Sequence, residues 1–286
     1  MKLFAGSSNR PLAEKLGIPL GNVEITRFID NECRVFVKDD VEGEDVYVLQ
    51  SLSEVADQRL VELCLLGQSL KDLRAKKVTA VIPWMGYSKQ DKAFRKGEAI
   101  SAQLVAKFIE AAGFDQVITC ELHSENVTPF FHIPIIELST RRVLVPPTDG
   151  VVVSPDKGGI SRSEKFAKEH HLPVLYMDKS RNIVTGEVKV SNIDGDVEGK
   201  RVIIFDDIIN TGATAVKTSE FLHEKGAKQI YFLATHAVLA GTASNELQLS
   251  HIDKVVVTDT IDIPKEKLFP KLTVISISHE LTSQIT

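Results

Sequence analysis

The chain has 286 residues, of which 43% are hydrophobic and 26% charged, with 39 acidic against 34 basic side chains and a formal net charge of -5. This is a globular composition, which excludes a disordered or low-complexity chain. The acidic balance excludes a general basic surface for nucleic acid, so an anionic ligand has to be held by local cations.

The length suits one large domain or two of about 140 residues. The N-terminus, Met1–Gly6, lacks the apolar core of a signal peptide, and no apolar run exceeds strand length. Cys33, Cys64 and Cys120 are odd in number, scattered and without CxxC spacing. They argue against a disulfide framework or a zinc site and fit a reducing, cytoplasmic protein. In chain order, Val46–Leu49 reads as a strand, a helix follows from about Val55 to Lys76, and Val78–Ile82 is the next strand. Ser101 is expected as a helix N-cap, with Leu104, Val105, Phe108, Ile109 and Ala112 on one face and Gly113 as the stop. Val117–Thr119 is again a strand.

A break near 138–150, with Arg141-Arg142 and Pro146-Pro147, separates a second half built on the same plan. There, Val151–Val153, Val174–Tyr176, Val202–Phe205, Ile230–Leu233, Val255–Val257 and Val274–Ile277 read as strands. Helices are expected near 163–170 and from about 213 to Lys225-Gly226. Most strands are apolar throughout, as expected when helices cover both faces of a parallel sheet. The expected domains are 1–143 and 144–286, and the pattern leaves open whether the last ten or so residues return to the first half.

The segment Val202–Thr214 is the most informative. Four apolar residues lead to Asp206 and Asp207, then to the turn Ile208-Ile209-Asn210-Thr211-Gly212, and then to a helix start at Ala213-Thr214. Adjacent carboxylates can accept hydrogen bonds from a pair of ribose hydroxyls. A turn of small and hydroxyl residues lets backbone N–H groups close on a phosphate at a helix N-terminus, where the dipole favours an anion. No Gly-Lys-Ser/Thr follows the glycine, so this is not a Walker A loop, and a lone glycine is not a dinucleotide fingerprint. The segment resembles the PRPP-binding motif (5-phosphoribosyl 1-pyrophosphate) of type I phosphoribosyltransferases and ribose-phosphate pyrophosphokinases.

Further segments, in order, extend the likeness: Phe4–Asn9, Leu16–Gly21, Phe28–Glu32, Gly86–Asp91, Arg95–Glu98, Ile100–Ala102, Leu122–Ser124, Ser154–Gly159 and Asp178–Arg181. Over most of its length the chain resembles the ribose-phosphate pyrophosphokinase (PRPP synthetase) family. The resemblance implies an α/β fold of two similar type I phosphoribosyltransferase-like domains, each a mostly parallel sheet flanked by helices. It implies transfer of the β,γ-pyrophosphoryl group of ATP to the anomeric hydroxyl of ribose 5-phosphate.

By resemblance, Lys179 and Arg181 are the catalytic cations of a mobile loop, and Arg181 also meets ribose 5-phosphate. The sugar phosphate is bound by Asp206, Asp207, Asn210, Thr211, Gly212, Ala213 and Thr214. ATP is met by Phe28, Asp30, Asn31, Glu32, Lys89, Gln90, Asp91 and His123, and Mg2+ by His123 and Asp156. Phe28–Glu32 would reach a neighbouring subunit, making the protein a homo-oligomer; neither nucleic acid nor membrane is an expected partner. On residue type alone, His123 would more often be structural, because Mg2+ prefers oxygen; Asp156 is the stronger candidate, at the carboxyl end of the strand Val151–Val153 before Gly158-Gly159, with a turn or N-cap role as the alternative. The chain departs from the family at Asn31, where Gly is usual, at Lys89, where Arg is usual, and at Lys157, where a small residue is usual. Asn tolerates positive φ, whereas lysine loses the bidentate fork of arginine. Two other readings share the central motif: a phosphoribosyltransferase that consumes PRPP, and a PRPP-sensing relative without catalysis. The first leaves the duplicated half unexplained, and the second would be expected to have lost Lys179 or Arg181.

Overall fold

Runs of Val, Ile and Leu between polar turns become strands along the whole chain, and most pair in parallel. The computed structural model describes residues 1–181 and 188–285. Among them the chain forms two units. One comprises Met1–Ser139, Thr260–Asp262 and Ser276–Thr286, and the other Thr140–Asp259 and Ile263–Ile275.

In the first unit the parallel sheet is built from β1 (Lys2–Ala5), β4 (Asp45–Leu49), β5 (Lys77–Ile82), β6 (Gln116–Cys120) and β7 (Ile135–Leu138), in that spatial order. A hairpin of β2 (Val23–Arg27) and β3 (Cys33–Val37) stands beside it as a separate two-stranded sheet. Alternate residues of the central strands feed opposite faces. Val48, Val78, Ala80 and Val117 join Leu63, Leu66 and Leu70 of α2 (Ala56–Asp72) and Val105 and Ile109 of α3 (Ser101–Ala111). Leu49, Val81 and Ile118 join Leu12 and Ala13 of α1 (Arg10–Lys15) on the other face. Ser101 does not cap α3. Ile100 holds that position without a side-chain bond, and Ser101 Oγ donates instead to Gln90 Oε1 at 2.7 Å.

The second unit has seven strands. β8 is Gly150–Ser154, β9 Val174–Arg181, β10 Val188–Ile193, β11 Arg201–Ile209, β12 Gln229–Ala237, β13 Lys254–Thr258 and β14 Leu272–Ile275. Their spatial order is β10-β9-β8-β11-β12-β13-β14, parallel throughout except for the antiparallel β9–β10 edge. α4 (Ile160–Glu169) connects β8 to β9, α5 (Ala213–Glu224) connects β11 to β12, and α6 (Ala243–Leu249) follows β12.

The division does not fall simply at 143/144. The terminal helix α7 (Ser278–Ile285) belongs to the first unit, because Ile277, Leu281 and Ile285 find their apolar partners in Leu3, Leu12 and Leu16. Among the described residues no helix is long and apolar enough to cross a membrane.

Candidate active site

The strand order of the second unit reverses between β8 and β11. β8 runs through α4 to β9 on one side, and β11 runs through α5 to β12 on the other. The crevice beyond the carboxyl ends of two such strands is where open α/β sheets take ligands. β8 pairs with β11 only as far as Val153 and Ile204, whereas β11 continues to Ile209. The strand is thus longer than Val202–Phe205, and Asp206 and Asp207 lie within it, beyond the reach of β8. β12 sustains the extra length, pairing Asp206 with Ala234 and Ile209 with Ala237.

The turn Asn210–Gly212 then leads into α5. Gly212 stands in the cap position at φ 75°, in the left-handed region that glycine enters at no steric cost. A side chain there would also press on Leu247, whose Cγ would lie 3.2 Å from the added Cβ. No side chain caps the helix strongly; Thr211 Oγ1 lies 3.5 Å from the Ala213 N–H. The first backbone bond of the helix is Val216 N–H to Gly212 C=O at 3.0 Å, so the donors before it are left for an acceptor from outside. A cavity of about 180 Å³ opens here, lined by Pro155, Asp206 and Asn210–Ala215. Asp206, Asn210, Thr211, Gly212, Ala213 and Thr214 are therefore brought together around one space.

Asp207 is buried at 2% exposure, while Asp206 keeps one edge towards solvent. Arg162, in the first turn of α4, serves both. Its Nη1 bonds Asp206 Oδ1 and lies 3.1 Å from Asp207 Oδ1. The Asp206 carboxyl is pushed up to about 7. Burial is the main cause, the charge of Asp207 adds to it, and Arg162 pulls the other way. Arg162 is the one residue of this group that sequence reasoning missed. A buried carboxylate pair requires a counter-charge, but the chain offers many basic candidates and nothing local marks this one.

Asp156 follows β8 at the same end of the sheet. Its Oδ1 accepts from Gly159 N–H at 3.0 Å, capping the short turn 157–159 that leads into α4. The capping role is thus real, in a place open to a ligand role as well. Among the described residues no group of three or more His, Cys, Asp or Glu is arranged to hold a metal ion. Mg2+ often needs only one or two carboxylates, together with water and substrate phosphate, so a lone Asp156 beside the crevice fits that donor set.

Lys179 and Arg181 stand on β9, not in a loop. β10 pairs with this stretch, placing Val190 opposite Lys179 and Val188 opposite Arg181. β-branched residues favour such pairing. The side chains of Lys179, Arg181 and Lys157 lie outside the described residues.

The remaining expected residues belong to the first unit. Phe28–Glu32 is the tip of the β2–β3 hairpin. Phe28 N–H bonds Glu32 C=O at 3.0 Å, Asn31 adopts φ 69°, and Arg27 Nη1 donates to Asn31 C=O at 2.8 Å. Asn31 thus fills a position suited to glycine. Phe28 is 54% exposed and Ile29 entirely so, and Asp30 Oδ1 is turned back to Glu32 N–H at 3.2 Å.

Lys89 and Gln90 lie exposed after β5. Asp91 Oδ2 accepts from Asn126 Nδ2 at 2.8 Å, which joins this loop to the segment of His123. Partial burial pushes the Asp91 carboxyl up, but hydrogen bonds from Ser124 and Asn126 outweigh it and hold the group below its usual value. Among the described residues, no hydrogen bond or ion pair joins the hairpin tip to Lys89, Gln90 or Asp91. Sequence reasoning put all of these in one ATP set.

A family model for the N-terminal domain of ribose phosphate pyrophosphokinase matches residues 1–113, and one for the phosphoribosyl synthetase-associated domain matches residues 174–286. Ribose-phosphate pyrophosphokinase 1 of Streptococcus mutans is 38% identical over 298 residues, covering 100% of this chain and 92% of the relative. The enzyme of the same name from Streptococcus pyogenes serotype M3 is 38% identical over 299 residues, covering 100% and 93%. The crystal structure of phosphoribosylpyrophosphate synthetase from Mycobacterium smegmatis superposes with a TM-score of 0.92 at 34% identity, over 99% of this chain and 97% of that one. Similarity that runs the full length of both sequence and fold makes the chain a member of the ribose-phosphate pyrophosphokinase family.

Proposed function

We infer that the crevice of the second unit is the ribose 5-phosphate site of a ribose-phosphate pyrophosphokinase, which makes PRPP and AMP from ATP. The observation that carries this is the single cavity shared by the Asp206 carboxyl and the uncapped N-terminus of α5. Asp206 and Asp207 accept from the ribose hydroxyls. The backbone of Asn210–Thr214 receives the 5-phosphate, favoured by the helix dipole.

The anomeric oxygen attacks the β-phosphorus of ATP, the bond from that phosphorus to the α-phosphate oxygen breaks, and AMP departs. Such transfer asks the protein mainly to align reactants and to offset negative charge. Lys179 and Arg181 follow β8 in the chain order β8–α4–β9 and supply two cations; Arg181 also meets the sugar phosphate. Asp156 and His123 would hold Mg2+, which would neutralise phosphate charge. Phe28 stacks on adenine, Asp30 and Glu32 accept from its amine, and Lys89, Gln90, Asp91 and His123 meet the phosphates and ribose of ATP. Among the described residues the bonds of the hairpin tip stay within the hairpin, and Phe28 and Ile29 point outward, which supports a tip that completes the site of a neighbouring subunit in a homo-oligomer. Three free thiols suit a reducing compartment, and we place the enzyme in the cytoplasm.

The test is formation of AMP and PRPP from ATP, ribose 5-phosphate and Mg2+, with Lys179→Ala beside the wild type. Equal amounts of AMP and PRPP are expected, with turnover reduced roughly 10²-fold or more in the variant. Folded wild-type protein that binds ribose 5-phosphate but releases no AMP would overturn the reading.

A further inference from the structure

We propose that Arg162 is a positioning residue for ribose 5-phosphate, acting through the Asp206–Asp207 pair. The inference rests on the ribose reading of that pair. Asp206 lines the cavity, whereas Arg162 and the buried Asp207 do not, so the arginine acts on substrate through the Asp206 carboxylate that it holds against Asp207. Asp206 Oδ1 receives two donors, Nη1 of Arg162 and the N–H of Asp207 at 2.9 Å. Two donors on one oxygen fix the plane of the carboxyl group. The same Nη1 lies 3.1 Å from Asp207 Oδ1, so one guanidinium ties the two side chains together and offsets half of their combined charge.

The arginine is itself held at two points. Its helix begins at a turn capped by Asp156, and one turn further along the same face Phe166 stacks on Phe205 with ring centroids 4.2 Å apart at 11°. Phe205 directly precedes Asp206 on β11. An aromatic stack and an ion pair, one helical turn apart on α4, thus grip two consecutive residues of β11. That construction sets the orientation of acceptor oxygens at the mouth of the cavity. Lysine could supply the charge at this site but not the planar fork, so substitution by lysine separates charge from orientation.

The experiment is steady-state PRPP synthesis by the full chain as wild type, Arg162→Met, Arg162→Lys, Asp206→Asn and the Asp206→Asn/Arg162→Met double variant, each checked by thermal melting. Arg162→Met is expected to raise the ribose 5-phosphate KM about tenfold or more while the ATP KM stays within about twofold, with Arg162→Lys in between. In the Asp206→Asn background the same change is expected to add little, because residues acting as a unit are not additive. An unchanged ribose 5-phosphate KM, an equal rise for both substrates, or full additivity in the double variant overturns the proposal. Should Arg162→Met not fold, Arg162→Lys decides alone: a rise of about threefold confined to ribose 5-phosphate supports it, and no rise overturns it. Wild-type turnover with an unresponsive Arg162 refutes this inference only, whereas no PRPP from the wild type refutes the functional reading and this inference with it.

Discussion

An ionised Asp206 accepts from ribose hydroxyls with both oxygens and more strongly than a protonated one, yet its carboxyl is raised to about 7 by burial and by Asp207. The ribose 5-phosphate KM is therefore expected to fall as pH rises from about 6 to 8, and this limb should vanish in Asp206→Asn. Stability has the opposite sign. A folded-state value above the ordinary one means that the native chain holds the proton more tightly than the unfolded chain. That contribution is complete below about pH 4 and is lost as pH rises through about 7. The melting temperature of Asp206→Asn should gain on the wild type between about pH 5 and pH 8. A constant difference across that range would show that Asp206 titrates normally. Adjacency made the pair legible in the sequence. Arg162 was not legible, because it lies 44 residues from Asp206 and only the packing of α4 on β11 brings them together. The positive φ of Asn31 was legible through the resemblance, which has Gly at that position, and through the tolerance of Asn for the left-handed region.

At the scale of elements, the central strands were readable, whereas strand ends and the edge strands β1, β7 and β10 were not. Val202–Phe205 is apolar because β8 and two helix layers enclose it. Asp206–Ile209 stays in the strand through β12 alone, and no local pattern records a one-sided partner. The same holds for β9, whose last residues read as loop until β10 pairs with them. The β2–β3 hairpin went unread as strands, since only one of its ten strand residues is fully buried and no apolar run marks it. α7 is the sharpest case. Val274–Ile277 reads as a strand with no helix after it, and the pattern leaves open whether the last residues return to the first half. The spacing of Ile277, Leu281 and Ile285 at every four residues gains its meaning only from the apolar face they cover. Leu281 is fully buried, and Leu281→Ala should cost about 3 kcal/mol, read as a lower denaturation midpoint for the first unit. A cost below about 1 kcal/mol would show that α7 is not part of that core.

At the scale of the whole molecule, the order of motifs along the chain was enough to read two α/β halves, but not the way the chain divides between them. The first unit is discontinuous, because Thr260–Asp262 and the C-terminal strip from Ser276 rejoin it from within and beyond the second unit's stretch of chain. A fragment of residues 1–143 retains all five strands of its sheet and lacks α7. One face then loses Ile277, Leu281 and Ile285, each at most 4% exposed in the intact chain, and Thr282 no longer donates to Leu16 C=O. Three large aliphatic side chains at about 2 kcal/mol each amount to a large part of the stability of a domain this size. The fragment should melt broadly and bind a hydrophobic dye. The same fragment carrying residues 276–286 on a flexible Gly/Ser linker should melt cooperatively, since closing a longer loop adds only about 0.6 kcal/mol per doubling of its length. If 1–143 unfolds as sharply and at the same temperature without the tail, α7 is an attachment to a finished core and not a part of it.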